Sequence, residues 1–147
     1  MSLLFEAVTH IGNKRQSNED RYFARKQDDG SLLMAVADGV GGMPGGDKAA
    51  GLAIQAVAAA GIGEKLTPER LFQLVVNAHD SILHQAAEHS RMEGMGTTLT
   101  VAVVREDAVF WGHVGDSRLY ILHAGTLRQV TTDHRFLTSM IEHGDIT

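Results

Sequence analysis

Acidic residues at the ends of strand-like segments are the chemically informative part of this sequence. Asp38 ends an apolar run, residues 32–37, and Glu19 and Asp20 stand just before another strand-like segment. Asp116 follows a third apolar segment, within a Gly-Asp-Ser-Arg stretch. Carboxylate oxygens are the ligands that hard cations such as Mg²⁺ and Mn²⁺ prefer. These residues therefore predict a divalent metal site, provided that the chain brings the strand ends together.

A hairpin turn near residues 29–30 would bring the first two strand ends together. Antiparallel pairing around that turn sets position 20 opposite about position 39, and directly opposed Cα atoms lie about 4.5–5.5 Å apart. Asp20, with Glu19 beside it, then arrives next to Asp38 and the carbonyl of Gly39. Like charges this close raise each other's pKa unless a cation intervenes.

A later hairpin, turning near residues 105–106, returns Asp116 to the level of residues 96–97. Asp133 is predicted to end the strand that follows. Any single Asp-Gly pair after a strand is more often a turn than a ligand. The metal interpretation therefore depends on several strand ends converging.

Arg15 precedes the acidic pair and is the candidate phosphate ligand, because a guanidinium matches phosphate oxygens in a bidentate way. Taken alone, it would be a solvated surface charge. Two other signals are weaker. His79, His84 and His89 recur every five residues, a spacing that does not keep zinc ligands on one helix face. The glycine-rich residues 41–48 lack the Lys-Ser/Thr ending of a nucleotide-binding loop.

Strands flank two helices along the chain, which predicts an α+β fold. Thr67 is predicted to cap the second helix, with Pro68 at its first position. The wholly apolar residues 32–37 predict a strand buried on both faces, and Trp111 is expected in the core. Strands are predicted at 5–11, 21–26, 32–37, 98–104, 108–114, 119–122 and 127–130, helices at 49–60 and 67–90, and weak helical character at 136–141.

Composition and charge exclude several classes of protein. The chain has no cysteine, which argues against disulfides and thiolate metal sites and favours a reducing compartment. A net charge of −5 argues against nonspecific binding to nucleic acid or anionic membranes. No apolar run approaches the ~20 residues of a membrane helix. We therefore expect a cytoplasmic protein with no nucleic-acid or membrane partner.

Five short motifs resemble those of the metal-dependent 2C-type (PPM family) protein serine/threonine phosphatases and occur in the same order along the chain. Val40, after Asp38-Gly39, resembles the bacterial branch, since eukaryotic members carry a histidine there. Each motif alone is weak evidence for the family, whereas five motifs in the family's order are specific evidence. The motifs are Gly12-Asn13-Lys14-Arg15-Gln16-Ser17-Asn18-Glu19-Asp20, Val36-Ala37-Asp38-Gly39-Val40-Gly41-Gly42, Gly94-Met95-Gly96-Thr97-Thr98, Val114-Gly115-Asp116-Ser117-Arg118 and Thr131-Thr132-Asp133-His134.

The resemblance implies an αββα sandwich that holds two metal ions, Mg²⁺ or Mn²⁺, between its sheets, with a third and weaker position. Asp38 would bridge both metals, and Arg15 would receive the substrate phosphate; these two are the implied catalytic residues. A metal-activated water would attack phosphorus in line, without a phosphoenzyme. The implied metal ligands, direct or through water, are Glu19, Asp20, Asp38, the carbonyl of Gly39, and Asp116 near the third position.

The same resemblance implies phosphoserine and phosphothreonine proteins as substrates and a Ser/Thr kinase as the opposing enzyme, and it does not indicate an oligomeric state. The family's later Ser-Asp-Gly and Asp-Asn stretches, which complete the second metal site, have no counterpart after Asp133. Residues 1–147 are therefore expected to form a single 2C-type domain that is incomplete at its C-terminus, with little activity of its own. The alternative is a non-catalytic module that binds phosphoproteins or regulates a partner.

Overall fold

The computed structural model describes residues 3–42, 44–60 and 65–134 of the chain. They form a four-stranded antiparallel sheet, two α-helices on one of its faces, and a separate two-stranded hairpin. A short 3-10 turn, Ser90–Met92, follows the second helix. In chain order the elements are β1 (Asp20–Lys26), β2 (Leu32–Asp38), α1 (Gly46–Ala59), α2 (Pro68–Glu88), β3 (Leu99–Val104), β4 (Val109–Val114), β5 (Tyr120–His123) and β6 (Thr126–Gln129).

The sheet has the strand order β1-β2-β3-β4, so strands that follow one another in sequence are neighbours. β1 pairs with β2 so that Asp20 lies opposite Asp38, one residue from the predicted partner. β3 pairs with β4 so that Leu99 lies opposite Val114. The predicted hairpins are confirmed. Their register brings the start of β1, the end of β2, the start of β3 and the end of β4 to one end of the sheet.

The core lies between the sheet and the two helices. α1 packs on β1 and β2, and α2 packs on β4. Alternate residues of β2 face the helices, because side chains along a strand point to opposite faces. The predicted cap of α2 is confirmed: Thr67 Oγ1 accepts a hydrogen bond from the Arg70 backbone N–H at 3.3 Å. Buried residues in this layer include Leu33, Ala35, Ala37, Ala49, Ala53, Val57, Leu71, Leu74, Ala78, Val101 and Val103.

The opposite face of the sheet is open to solvent over much of its area. Tyr22 and Val36, which are partners in the β1–β2 register, are each 46% exposed, and Trp111 is 39% exposed. The prediction that residues 32–37 are buried on both faces is therefore wrong, as is the core position of Trp111. Both helices pack on the other side, and a strand without polar residues carries no sign of which face will be covered.

Three further predictions have different outcomes. Residues 5–11 are not in a strand, since no neighbouring strand of the described chain pairs with them. β6 ends at Gln129, so Asp133 lies beyond the strand that it was predicted to end. The helical character expected at 136–141 falls outside the described residues. Among the described residues, no helix is both long and apolar enough to cross a bilayer.

Candidate metal centre

Two carboxylates, Asp20 and Asp38, stand side by side on the face of the sheet turned away from the helices. They are direct partners in the β1–β2 register, and Asp38 shares the face of Val36, because side chains alternate along β2. Partial desolvation, the charge of Asp20 and a hydrogen bond shared with it, and the charge of Asp116 all raise the pKa of Asp38, while the charge of Arg15 lowers it. A cation between the two carboxylates would relieve this repulsion.

Thr98, the residue before β3, holds the backbone of Asp38 in place. The Asp38 N–H donates to Thr98 Oγ1 at 3.0 Å, and the Thr98 N–H donates to the carbonyl of Asp38 at 2.9 Å. One residue further, Gly39 and Thr97 form an isolated antiparallel bridge. Both backbone polar groups of Asp38 are therefore engaged by one residue, so the carboxylate projects from a fixed position.

Gly39 lies where two backbone segments approach each other closely. Its N–H donates to the carbonyl of Glu19 at 3.3 Å. A Cβ on Gly39 would collide with the carbonyl oxygen of Gly46, the first residue of α1, and would lie 3.0 Å from the carbonyl oxygen of Glu19. Glycine is required here because the end of β2 and the start of α1 leave no room for a side chain.

Arg15 lies beside the carboxylate pair and contacts Glu19. The Arg15 Nη1 and Glu19 Oε2 are 3.5 Å apart, and the arginine side chain is 62% exposed. A Cβ on Gly41 would collide with the guanidinium of Arg15, so that group rests directly on the glycine-rich loop after β2. An exposed ion pair of this kind is weak, at about 0–1 kcal/mol, and Arg15 remains accessible to an anion from solvent.

Asp116 lies in the loop after β4, which packs against the start of β3. Thr98 Oγ1 and Ser117 Oγ share a hydrogen bond of 2.7 Å, and Thr100 Oγ1 donates to the carbonyl of Ser117 at 3.2 Å. Gly115 has a φ of 103°, a conformation that favours glycine. The loop brings Asp116 within electrostatic reach of Asp38 but not into the β1–β2 register.

Two ionisable residues of the same loop region have other contacts. Asp133 accepts hydrogen bonds from Arg118 Nε at 2.9 and 3.2 Å and from Arg118 Nη2 at 2.7 Å, and these bonds raise the pKa of Arg118. His113 Nδ1 is hydrogen-bonded to Thr100 Oγ1 at 2.8 Å. Burial and the neighbouring His134 lower the pKa of His113. Asp133 and His113 thus have partners other than the Asp20–Asp38 pair.

The donor set fits a hard divalent cation. In the described part of the chain, no three Asp, Glu, His or Cys side chains come close enough to form a metal-binding group. Mg²⁺, however, keeps several waters and is usually held by one or two carboxylates. Asp20 and Asp38 meet that need, with Gly39 beside them and Asp116 nearby. Glu19 differs, because its carboxylate is directed to Arg15.

Sequence reasoning misses the hydroxyl groups behind the carboxylates. Thr98 and Ser117 stand within the quoted motifs, but β-branched residues at a strand start indicate only strand propensity. A signal does exist in the strand register. Val36 pairs with Thr100 in the structure. Because the strands are antiparallel, the same register sets Asp38, two residues after Val36, beside Thr98, two residues before Thr100.

Comparison with known proteins identifies the family. The family model for protein phosphatase 2C matches residues 8–141. This chain belongs to the protein phosphatase 2C family. Serine/threonine protein phosphatase PstP of Mycobacterium tuberculosis is 35% identical over 149 residues, covering 99% of this chain and 28% of PstP. Serine/threonine phosphatase stp of Listeria welshimeri is 33% identical over 148 residues, covering 97% of this chain and 59% of the relative.

Solved structures of 2C-type phosphatases share this fold. The catalytic domain of PstP, crystallised in complex with 2 manganese ions, superposes with a TM-score of 0.77 and 34% identity, covering 94% of this chain and 59% of that domain. The predicted fold class, an incomplete α+β fold of the 2C type, is confirmed. The chain spans about three fifths of that domain, and a family member of known structure binds manganese.

Proposed function

We propose that this protein is a metal-dependent protein serine/threonine phosphatase that hydrolyses phosphoserine and phosphothreonine. The observation that carries the proposal is the juxtaposition of Asp20 and Asp38 beside the accessible guanidinium of Arg15, in a chain of the 2C family. A carboxylate pair that binds a cation and an arginine that binds a phosphate are the two parts that metal-assisted phosphate hydrolysis needs.

In this proposal, Asp38 and Asp20 hold the metal, with contributions from the Gly39 carbonyl and from Asp116. Bound Mg²⁺ or Mn²⁺ lowers the pKa of a coordinated water and neutralises charge on the phosphoryl group. Arg15 binds the phosphate oxygens of the substrate and orients them toward the carboxylate pair. Glu19 holds the guanidinium in place until the phosphate replaces it as the partner of Arg15.

Other parts of the proposal rest on the sequence and the family. Residues 1–147 are proposed to belong to one 2C-type domain, with two metal ions in the complete form and a Ser/Thr kinase as the opposing enzyme. The choice between Mg²⁺ and Mn²⁺ is left to experiment. A cytoplasmic location remains a prediction from the cysteine-free composition.

A second candidate is a non-catalytic module that binds phosphoproteins. It is favoured by the finding that no three metal-ligating side chains come together among the described residues. Such a module would bind a phosphothreonine peptide through Arg15 without releasing phosphate.

The test is release of phosphate from p-nitrophenyl phosphate and from a phosphothreonine peptide, with Mn²⁺ and with EDTA. We expect metal-dependent release that Asp38→Asn removes. Asp80→Asn, on an exposed position of α2, is the matched control and should retain the rate. If neither this chain nor a longer form of the protein releases phosphate while both bind the peptide, the module is correct and the phosphatase proposal fails.

A further inference from the structure

Thr98 joins the two segments that carry Asp38 and Asp116. Its hydroxyl accepts the Asp38 backbone N–H at 3.0 Å and shares a 2.7 Å hydrogen bond with the Ser117 hydroxyl. A single oxygen atom therefore contacts both the residue at the end of β2 and the loop after β4. These segments are far apart in sequence, and the hydroxyl is a direct polar link between them.

Packing around the methyl group of Thr98 is equally close. A Cβ on Gly115 would lie 2.6 Å from Thr98 Cγ2 and 2.8 Å from Thr98 Cβ. The loop that carries Asp116 therefore rests directly on this side chain. The methyl group sets how closely the loop approaches, and the hydroxyl fixes its position relative to Asp38.

We infer that Thr98 is a positioning residue, which sets the separation of Asp38 and Asp116 through its hydroxyl; the inference rests on the proposed function. Hydrogen-bonding partners behind metal ligands orient those ligands and typically change metal affinity 10–100-fold when they are removed. Thr98 acts through the backbone of Asp38 and through Ser117, and it does not contact the metal or the substrate.

Two substitutions distinguish the role of the Thr98 hydroxyl from that of its methyl group. Thr98→Val keeps the shape and the packing against Gly115 but leaves the Asp38 N–H without its acceptor. Thr98→Ser keeps the hydroxyl and loses the methyl group. If the hydroxyl positions the carboxylates, Thr98→Ser should behave like the original chain and Thr98→Val should not. A role in packing alone would give the opposite result, with Thr98→Val close to the original chain and Thr98→Ser impaired.

Thr67→Val is the matched control. Thr67 also accepts a backbone N–H through its hydroxyl, at the start of α2, in a helix that the site does not use. Both valine variants should therefore lose thermal stability. Only Thr98→Val should change the site, so a general loss of stability is separated from positioning.

The experiment measures Mn²⁺ affinity by calorimetry and, in the metal-free chain, amide hydrogen exchange of Asp38 by NMR. We expect Thr98→Val to weaken Mn²⁺ binding about 10-fold and to speed exchange at the Asp38 amide, which loses its acceptor. Thr98→Ser should stay within about twofold of the original chain, as should Thr67→Val.

The inference is overturned if Thr98→Val leaves exchange at Asp38 unchanged, or if it binds Mn²⁺ as tightly as Thr67→Val does. Failure of the proposed function has a different signature. In that case the original chain binds no Mn²⁺, and exchange in the metal-free chain decides alone: faster exchange in Thr98→Val supports the hydroxyl link, and unchanged exchange refutes it.

Discussion

Asp20 lies directly opposite Asp38 where β1 and β2 meet at the end of the sheet. Like charges that face each other across a strand pair are destabilising. The pKa of Asp38 is raised, by desolvation first and by Asp20 second, and this shift reflects the unfavourable environment of its charged form. A residue pair that weakens the metal-free fold and suits a divalent cation is typical of a functional site.

Asp38→Asn should therefore have opposite effects on metal binding and on stability. Removing one carboxylate should weaken Mn²⁺ binding by roughly 10-fold or more, since even outer partners of a metal site have effects of that size. Without metal, the variant should be about 0.2–1 kcal/mol more stable, because the repulsion by Asp20 is gone. Calorimetry and urea unfolding measure the two quantities. A variant that is less stable than the original chain and binds Mn²⁺ normally would contradict both expectations.

The stability of the metal-free chain should fall as the pH rises through the titration of Asp38. Its folded-state pKa is raised, by desolvation and then by Asp20, so the folded chain holds this proton to higher pH than the unfolded chain does. The free energy of unfolding therefore declines between the unfolded and the folded pKa and stays lower above both. Affinity for Mn²⁺ should rise over the same window, because the metal competes with the proton.

Urea unfolding from about pH 4 to pH 7 checks this dependence, a range that begins near the ordinary pKa of aspartate. The original chain should lose stability relative to Asp38→Asn as the pH rises. Parallel curves for the two proteins would show that Asp38 titrates normally.

Gly41→Ala should reproduce part of the effect of Arg15→Ala. The added methyl group would occupy the position of the Arg15 guanidinium, and a flexible side chain moves aside at little cost. Stability should stay within about 0.5 kcal/mol of the original. In phosphatase assays, Arg15→Ala should mainly raise KM, because it removes phosphate binding in the ground state, and Gly41→Ala should raise KM by a smaller factor. A fall in kcat alone would argue against this role for Arg15.

Gly39→Ala and Gly51→Ala should change stability in opposite directions. The methyl group at Gly39 would meet the carbonyl of Gly46, which is backbone and cannot rotate away, so the loss should be about 1–3 kcal/mol. Gly51 lies within α1 and has open space around its Cβ position, so alanine there should add up to about 1 kcal/mol. Thermal unfolding of the two variants provides the comparison. Equal melting temperatures would mean that Gly39 and Gly46 are not in close backbone contact.

Local signals in the sequence were sufficient for the hairpins and for α2. The turn at Asp29-Gly30 limits the β1–β2 register to within a residue of the observed pairing, and the cap at Thr67 marks the start of α2. These features depend on a few adjacent residues, so they can be read without knowledge of the rest of the chain.

Features that depend on distant elements could not be predicted in this way. The exposure of Val36 depends on which face the helices cover, and the strand itself is apolar throughout. The link from Thr98 to Ser117 joins residues 19 positions apart, and neither residue type indicates it.

The carboxylates and the helices occupy opposite sides of a single sheet, with Gly39 and Gly46 as a point of backbone contact. Substitutions within the helical layer should therefore change resistance to heat while the carboxylate pair is left unaltered. Likewise, the preference of the proposed metal site for one cation over another should be open to redesign without repacking the interior.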